Sequence, residues 1–378
     1  MNPIYLDYNA TTPIDPEVAD AMRPFLETYF GNPSSGHQYG RVTKKAVDAA
    51  REQVAGLLGC RADEIVFTSG GSESNNFAIK GIAGAHSERG NHIITSAIEH
   101  PAVIEVCRFL ERKGFEVSYL PVDSYGLVDP DELRNAITAK TILISIMHAN
   151  NEVGSIQPIA EIAEIAKAHG IFFHTDAAQS IGKIAVNVDE LGADLLTVVG
   201  HKIYAHKGIG ALYIRRGTEL QRLIHGASHE SGWRSGTENV LQMAGLGTAC
   251  EIAGRDLFKN QQTMVRTRDL LFRLLQETSV GVRLNGHPEK RLPNTLNVGF
   301  QNIKANELLA EMTGVAASAG AACHSDKIAV SDVIAAMQVP EAYAMGTIRF
   351  STGKTTTEDE VRASAEIIQN ALNTLSGS

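Results

Sequence analysis

Cysteine is scarce in this chain of 378 residues: Cys60, Cys107, Cys250 and Cys323 stand far apart, with no C-x-x-C pair. That spacing argues against a disulfide scaffold and a zinc ribbon, and it suits a reducing compartment. No apolar run approaches the roughly 20 residues that a membrane span needs. The opening residues, Met1 to Asp7, carry no basic stretch followed by an apolar one, so a cytoplasmic protein without membrane attachment is expected. Lysine and arginine form no block, and 34 of them against 43 acids leave a net charge of −9. Nucleic acid is therefore not an expected partner. Neither G-x-G-x-x-G nor a Walker pattern occurs. His201 with His206, and His225 with His229, form neither H-E-x-x-H nor a zinc spacing, so no metal is expected. No internal repeat or low-complexity linker interrupts the chain. What remains has 43% apolar residues and 34 glycines, the composition of a globular enzyme long enough for two domains.

Helical and strand patterns alternate through the first half. Val42, Ala46, Val47, Ala50, Val54, Leu57 and Leu58 recur at helical spacing over 41–58, and Gly59 stops the pattern. Glu64 to Thr68 reads as a strand, followed by Ser69-Gly70-Gly71 and a helix with serine hydroxyls at capping positions. Ile93–Thr95, Phe115–Val122, Thr141–Met147, Ile171–His174, Asp194–Val199 and Gly210–Ile214 read as further strands. Pro101–Lys113 and Ile159–His169 read as helices between them. Alternation of this kind predicts an α/β fold with a mostly parallel sheet covered on both faces. Beyond Leu246 the texture changes: one long helix is expected to about Glu277, then mixed segments of a smaller α+β domain, with the N-terminal residues packed on or near it.

In open α/β sheets, ligands bind beyond the carboxyl ends of the strands. Polar clusters fall at those ends here: Ser69–Glu73, Glu99-His100, Asn150–Glu152, Asp176–Gln179 and Gly200–Lys202. Each has a plain reading. Gly70-Gly71-Ser72 is a phosphate cradle at a helix start or a capped tight turn. Asp176 is a cofactor partner or an N-cap, and Lys202 a catalytic amine or a surface charge. Together, an acid, a lysine and an anion-binding helix start match what pyridoxal phosphate requires. His100 would then stack on the ring, and Asn151 and Gln179 would donate to its phenolic oxygen; alternatively all three make strand-end hydrogen bonds.

The motifs carry a family resemblance. Tyr5-Leu6-Asp7-Tyr8-Asn9-Ala10-Thr11-Thr12-Pro13, Gly31-Asn32-Pro33-Ser34-Ser35, Phe67 to Asn76, Met147 to Gly154, His174 to Gln179 and Arg234 to Asn239 resemble, in order, the cysteine desulfurases. These belong to the class V aminotransferase-like group of fold-type I pyridoxal phosphate enzymes. The resemblance implies a large, mostly parallel seven-stranded sheet domain at 15–250. A small α+β domain at 1–14 and 251–378 would carry a catalytic cysteine. It also implies a homodimer with active sites at the subunit interface. It makes Lys202 the Schiff-base lysine, His100 the ring-stacking catalytic residue and Asp176 the partner of the pyridine nitrogen. Asn151 and Gln179 go to the phenolic oxygen. Gly71, Ser72 and His201 go to the phosphate, which Thr237 of the other subunit also reaches. Arg349, with Asn151, would bind the carboxylate of the substrate L-cysteine.

Cys323 would receive the sulfur as a persulfide and alanine would leave. Its setting, Ser318 to Asp326, reads as a mobile exposed loop, and a thiolate lowered in pKa with help from His324 is expected. Cys60, Cys107 and Cys250 read as buried packing residues. The stretch from Cys323 to Ser331 is similar to the longer loops of desulfurases that hand sulfur to an acceptor or iron–sulfur scaffold protein. The chain departs from the family at Val199, where a hydroxyl residue is common, at Ala205-His206, and at Ala227-Ser228 with Ser231. Val199 to Lys202 and Cys323-His324-Ser325-Asp326 resemble selenocysteine lyases instead, which would make L-selenocysteine the substrate, although Pro101 stands where those lyases carry Asp.

Overall fold

The computed structural model describes residues 3–319, 321–324 and 327–376, with the backbone alone for 321–324 and 327–329. Strand β1 (Ile4–Tyr5) precedes seven strands that share one sheet: β2 (Ile65–Thr68), β3 (His92–Ser96), β4 (Glu116–Leu120), β5 (Thr141–Ser145), β6 (Phe172–Asp176), β7 (Leu195–Val199) and β8 (Gly210–Ile214). Their spatial order is β2-β8-β7-β6-β5-β3-β4. Only β8 runs against the rest, pairing antiparallel with both β2 and β7. The central strands are buried throughout, as expected of parallel strands covered by helices on both faces.

The expected elements recur with small shifts at their ends. The first long helix spans Gln38–Leu58 and ends on Gly59 at φ 69°, the left-handed cap that glycine adopts without steric cost. The single helix expected over 246–277 is two, Val240–Arg255 and Leu257–Gln276. Asp256 leaves helical geometry between them, and Arg255 holds its carboxylate through Nε and Nη2. The break lets the two helices serve different cores. Leu246, Ala249 and Cys250 pack with the seven-stranded sheet, whereas Leu270, Leu271 and Leu275 pack with a second sheet.

That second sheet has the order β12-β15-β10-β9, built from β9 (Val282–Asn285), β10 (Thr295–Phe300), β12 (Ser318–Ala319) and β15 (Thr347–Ser351). Strand β11 (Val315–Ala316) pairs in parallel with β1, which draws Ile4 and Leu6 into this core. Strands β13 (Ala321–His324) and β14 (Lys327–Val330) form a two-stranded antiparallel ribbon with Cys323 opposite Ile328. The backbone at Cys323, in the stretch expected to be a mobile exposed loop, is thus a strand of this ribbon. Ser325, Asp326 and the side chains of Cys323 and His324 lie outside the described residues.

One long surface stretch is anchored by charge. Glu230, 5% exposed, accepts from Arg51 Nη1 and Nη2 at 2.7 and 2.8 Å and from the Phe67 amide at 2.8 Å. Glu230 and Ser231 both have positive φ, 47° and 54°, a strained pair that this three-bonded carboxylate holds in place. Phe350, fully buried in the second core, offers a test of where stability resides. Phe350→Ala should cost about 3–5 kcal/mol in a denaturant titration. Phe258→Ala, at a ring 72% exposed, should stay within about 0.5 kcal/mol. Equal losses in the two variants would contradict this assignment of the core.

Candidate active site

Strands β3, β5, β6 and β7 deliver their carboxyl ends to one edge of the large sheet, and a cleft opens there. It is lined by Asn9, Gly71, Ser72, Asn75, His100, Met147, Asn151, Asp176, Gln179, Val199, His201, Lys202 and Arg349, around about 880 Å³ of space partly open to solvent. Nine of the residues singled out from sequence therefore share one site: Gly71, Ser72, His100, Asn151, Asp176, Gln179, His201, Lys202 and Arg349. Several polar groups expected at the edge do not line it, among them Glu152, whose carboxylate accepts from Ser331 Oγ at 2.7 Å. Asn150 is fully buried and uses Oδ1 to cap the amides of Glu152 and Val153. Glu99 is buried as well.

Asp176 ends β6 and is held at both oxygens. Oδ1 accepts from the Ala178 amide at 2.9 Å and Oδ2 from Asn75 Nδ2 at 2.7 Å. The Asn75 amide is itself fixed, because its Oδ1 accepts from Thr197 Oγ1 at 2.7 Å. Thr197 Oγ1 lies 3.1 Å from His174 Nε2, and His174 Nδ1 lies 2.8 Å from Ser145 Oγ. Burial pushes His174 down to about 4, so the ring is neutral and passes order, not charge, along the chain.

Lys202 reaches the cleft from the turn after β7. Its Nζ donates to the carbonyls of Asn9 at 2.5 Å and Ala10 at 2.7 Å. Burial, then the Arg349 charge, lowers its pKa to about 8 against the pull of Asp7 and Asp176. About a tenth of the amine is thus unprotonated and nucleophilic at pH 7, and about half at pH 8, far more than for an ordinary lysine. Arg349, from β15, donates through Nη2 to Asp7 Oδ1 at 2.8 Å and through Nη1 to the Asn151 carbonyl at 3.1 Å. Its Nε is buried with no partner.

His100 caps the helix Pro101–Glu111: its Nδ1 accepts from the Ala102 amide at 3.1 Å, which places the ring proton on Nε2. Burial lowers its pKa, so the ring is a neutral plane. The helix Gly71–Ala85 carries no side-chain cap, contrary to the expected serine caps. Ser74 Oγ bonds Thr68 Oγ1 and the Ala211 carbonyl instead, leaving the first amides of the helix open to an anion. A Cβ on Gly71 would lie 2.7 Å from Val199 Cγ2, so only glycine fits at this helix start. An uncapped helix start, a doubly held carboxylate, a flat neutral imidazole and a low-pKa lysine fit pyridoxal phosphate in charge and in chemistry.

Thr237 does not line the cleft; it is exposed on the 215–239 stretch. Arg234 ties that stretch to the helix start through Glu73, at 2.9 and 3.3 Å. Of the other cysteines, Cys107 and Cys250 are buried as expected, while Cys60 is only half-buried. Burial pushes all three thiols up to about 12, which makes them inert. Asn75, Asn9 and Asp7 were not assigned roles from sequence. The signal available for Asn75 was its place one helical turn after Ser72. For Asn9 and Asp7 the motif alone marked them, since their partners lie hundreds of residues away.

The chain matches the family model Aminotransferase class-V over residues 4–363. It is 50% identical to a cysteine desulfurase IscS of Dictyoglomus turgidum over 98% of this chain and 95% of that protein. It is 48% identical to a cysteine desulfurase IscS of Methanosarcina thermophila over 98% and 92%. Among solved structures it is similar to a NifS-like protein, with TM-score 0.93 and 38% identity over 98% of this chain and 100% of that one. It is also similar to SspA in complex with cysteine, with TM-score 0.83 and 39% identity over 93% and 99%.

Two pH effects follow from the buried groups. Glu99 Oε1 accepts from Ser96 Oγ at 2.7 Å and the Met147 amide at 2.8 Å, while Oε2 has no partner, and burial pushes the acid up to about 8. The folded state therefore keeps a proton that the unfolded chain loses above its ordinary value of 4.5. Stability should fall between those pH values, by at most about 1.4 kcal/mol per pH unit. The stability gap between Glu99→Gln and wild type should widen as pH rises through this window, measured by urea unfolding; a constant gap would contradict it. Acylation of Lys202 in the cofactor-free protein, read by peptide mass spectrometry, should be half-maximal near pH 8, far below the exposed lysines. Half-maximal labelling at the same pH as surface lysines would refute the assignment.

Proposed function

We propose, from a chain that belongs to the class-V aminotransferase family and within it to the cysteine desulfurases, that sulfur from L-cysteine is loaded on Cys323 and passed to an acceptor protein for iron–sulfur cluster assembly. The observation that carries the reading is the meeting of Lys202, Asp176, His100 and Arg349 around the uncapped helix start at Gly71. Bound there, pyridoxal phosphate supplies an electron sink for the charge that develops on the substrate carbons. The residues that would hold it are Asp176 at the pyridine nitrogen, His100 on the ring face and Asn151 and Gln179 at the phenolic oxygen. Gly71, Ser72 and His201 would hold the phosphate. Arg349 clamps the substrate carboxylate, its guanidinium braced by Asp7. Lys202, near pH 8 an effective base and acid alike, carries the proton at the substrate Cα. Cys323 as thiolate attacks the substrate sulfur; the bond from Cβ to sulfur breaks, and protonation at Cβ yields alanine.

In this reading residues 15–250 hold the cofactor, and residues 1–14 with 251–378 form the smaller unit that brings Arg349 and Cys323 to it. The working form is a homodimer. Leu26, Tyr29, Phe30 and Tyr39 leave an apolar patch exposed, Phe30 by 82%, as a subunit contact would require. Thr237, exposed and outside its own cleft, is then available to the phosphate of the other subunit. A cytoplasmic setting agrees with the free thiols of Cys60, Cys107 and Cys250.

A selenocysteine lyase is the second reading, favoured by Val199, which lines the cleft at the position where desulfurases commonly carry a hydroxyl residue. Comparing turnover of L-cysteine and L-selenocysteine separates the two. On the first reading Cys323→Ser abolishes alanine and sulfide release from L-cysteine, by at least about a hundredfold, while Lys202→Ala loses the visible absorbance of the lysine-bound cofactor. Full activity in Cys323→Ser would overturn it.

A further inference from the structure

A second buried amine lies behind the cleft. Lys183 is 5% exposed, and its Nζ stands 2.7 Å from Gln179 Oε1 and 3.0 Å from Asn9 Oδ1. Both acceptors are neutral amide oxygens. Burial and the charges of Lys202 and Arg349 all disfavour its ammonium form. In either protonation state the amine has the two N–H donors these acceptors need. The position therefore uses Lys183 as a pair of donors.

What those donors control is the far side of the same two residues. Gln179 Nε2 donates to the Asn9 carbonyl at 3.0 Å, and that carbonyl also accepts from Lys202 Nζ. An amide side chain has two nearly isosteric orientations, and its partners decide between them. With Oε1 held on Lys183, Gln179 can turn only its NH₂ group toward Asn9 and the cleft. Asn9 is pinned in the same way, because its Oδ1 also accepts from Asn294 Nδ2 at 2.9 Å while its own Nδ2 donates to Thr295 Oγ1 at 2.8 Å.

We propose that Lys183 is a positioning residue of the active site, which fixes the amide of Gln179 as a donor and the carbonyl of Asn9 as the seat of Lys202. The inference rests on the reading that Gln179 donates to the phenolic oxygen of the cofactor. Loss of the Lys183 donors lets the Gln179 amide rotate and present its oxygen to an oxygen.

The test compares Lys183→Met, Gln179→Met and the double variant as cofactor-loaded enzymes, reading kcat, KM for L-cysteine and the pH titration of the visible cofactor band. Lys183→Met should lower kcat roughly ten- to hundredfold with KM nearly unchanged, and should move the band titration in the same direction as Gln179→Met. The double variant should be no worse than the stronger single one, because both break one linkage. A silent Gln179→Met would overturn the reading of Gln179 and the proposal with it. An active-site effect in Gln179→Met with a silent Lys183→Met, or additive losses in the double variant, would overturn the proposal alone. Should Lys183→Met fail to fold, Lys183→Gln, which keeps a donor, must show the same non-additivity; failure of that variant to fold would make Lys183 structural and overturn the proposal.

Discussion

The catalytic amine and the three chain segments around it meet on Asn9. It is 1% exposed, and each of its polar groups is bonded. Its amide donates to Ser351 Oγ, its carbonyl accepts from Lys202 and Gln179, and its side chain links Asn151, Thr295, Lys183 and Asn294. A buried polar group left unpaired costs about 1–3 kcal/mol, so these bonds can be kept only if the N-terminal segment, the large sheet and the second sheet meet in one arrangement. The requirement to satisfy one buried asparagine thus sets the position of the catalytic amine. Asp7, two residues earlier, does the same for Arg349.

The electrostatics of the cleft follow from that convergence. Lys202 and Arg349 come from different sheets, and their proximity, with burial, brings the lysine down to about 8. His201 is pushed to about 4, by burial first and then by Lys202 and Lys207. The imidazoles are therefore neutral near pH 7, and the helix start at Gly71 and the Arg349 guanidinium are left to meet anions. Such a site separates two tasks. Fixed donors take the charged ends of ligands, while the one amine poised between its forms moves protons.

The strands themselves were legible because buried parallel strands are continuous apolar runs, as in Thr141–Ser145 and Leu195–Val199, bounded by glycine and polar turns. Eight cleft residues were legible for a related reason: in this architecture, chemistry collects where strands end. Arg349, inside a strand of the second sheet, was marked by the family resemblance alone. The reading failed where helical periodicity continued across a bend. Residues 246–277 keep an apolar spacing on both sides of Asp256, yet the two parts face different cores. It also failed at Ser72 and Ser74, whose hydroxyls look like caps in one dimension but whose helix begins at Gly71.

The sequence by itself determined the elements and their order, the placement of Asp176, Gln179, His201 and Lys202 at strand ends, and the family to which these motifs belong. These depend on local periodicity and on residue type, which a linear chain carries in full. Tertiary structure alone decided that Asn75 orients Asp176, that Glu99 keeps its proton, that Thr237 stands outside its own cleft and that Lys183 bonds Gln179 and Asn9. Each of these is set by desolvation and by partners drawn from distant segments. A side chain's neighbours in space, not its neighbours in sequence, fix its charge and the direction of its hydrogen bonds.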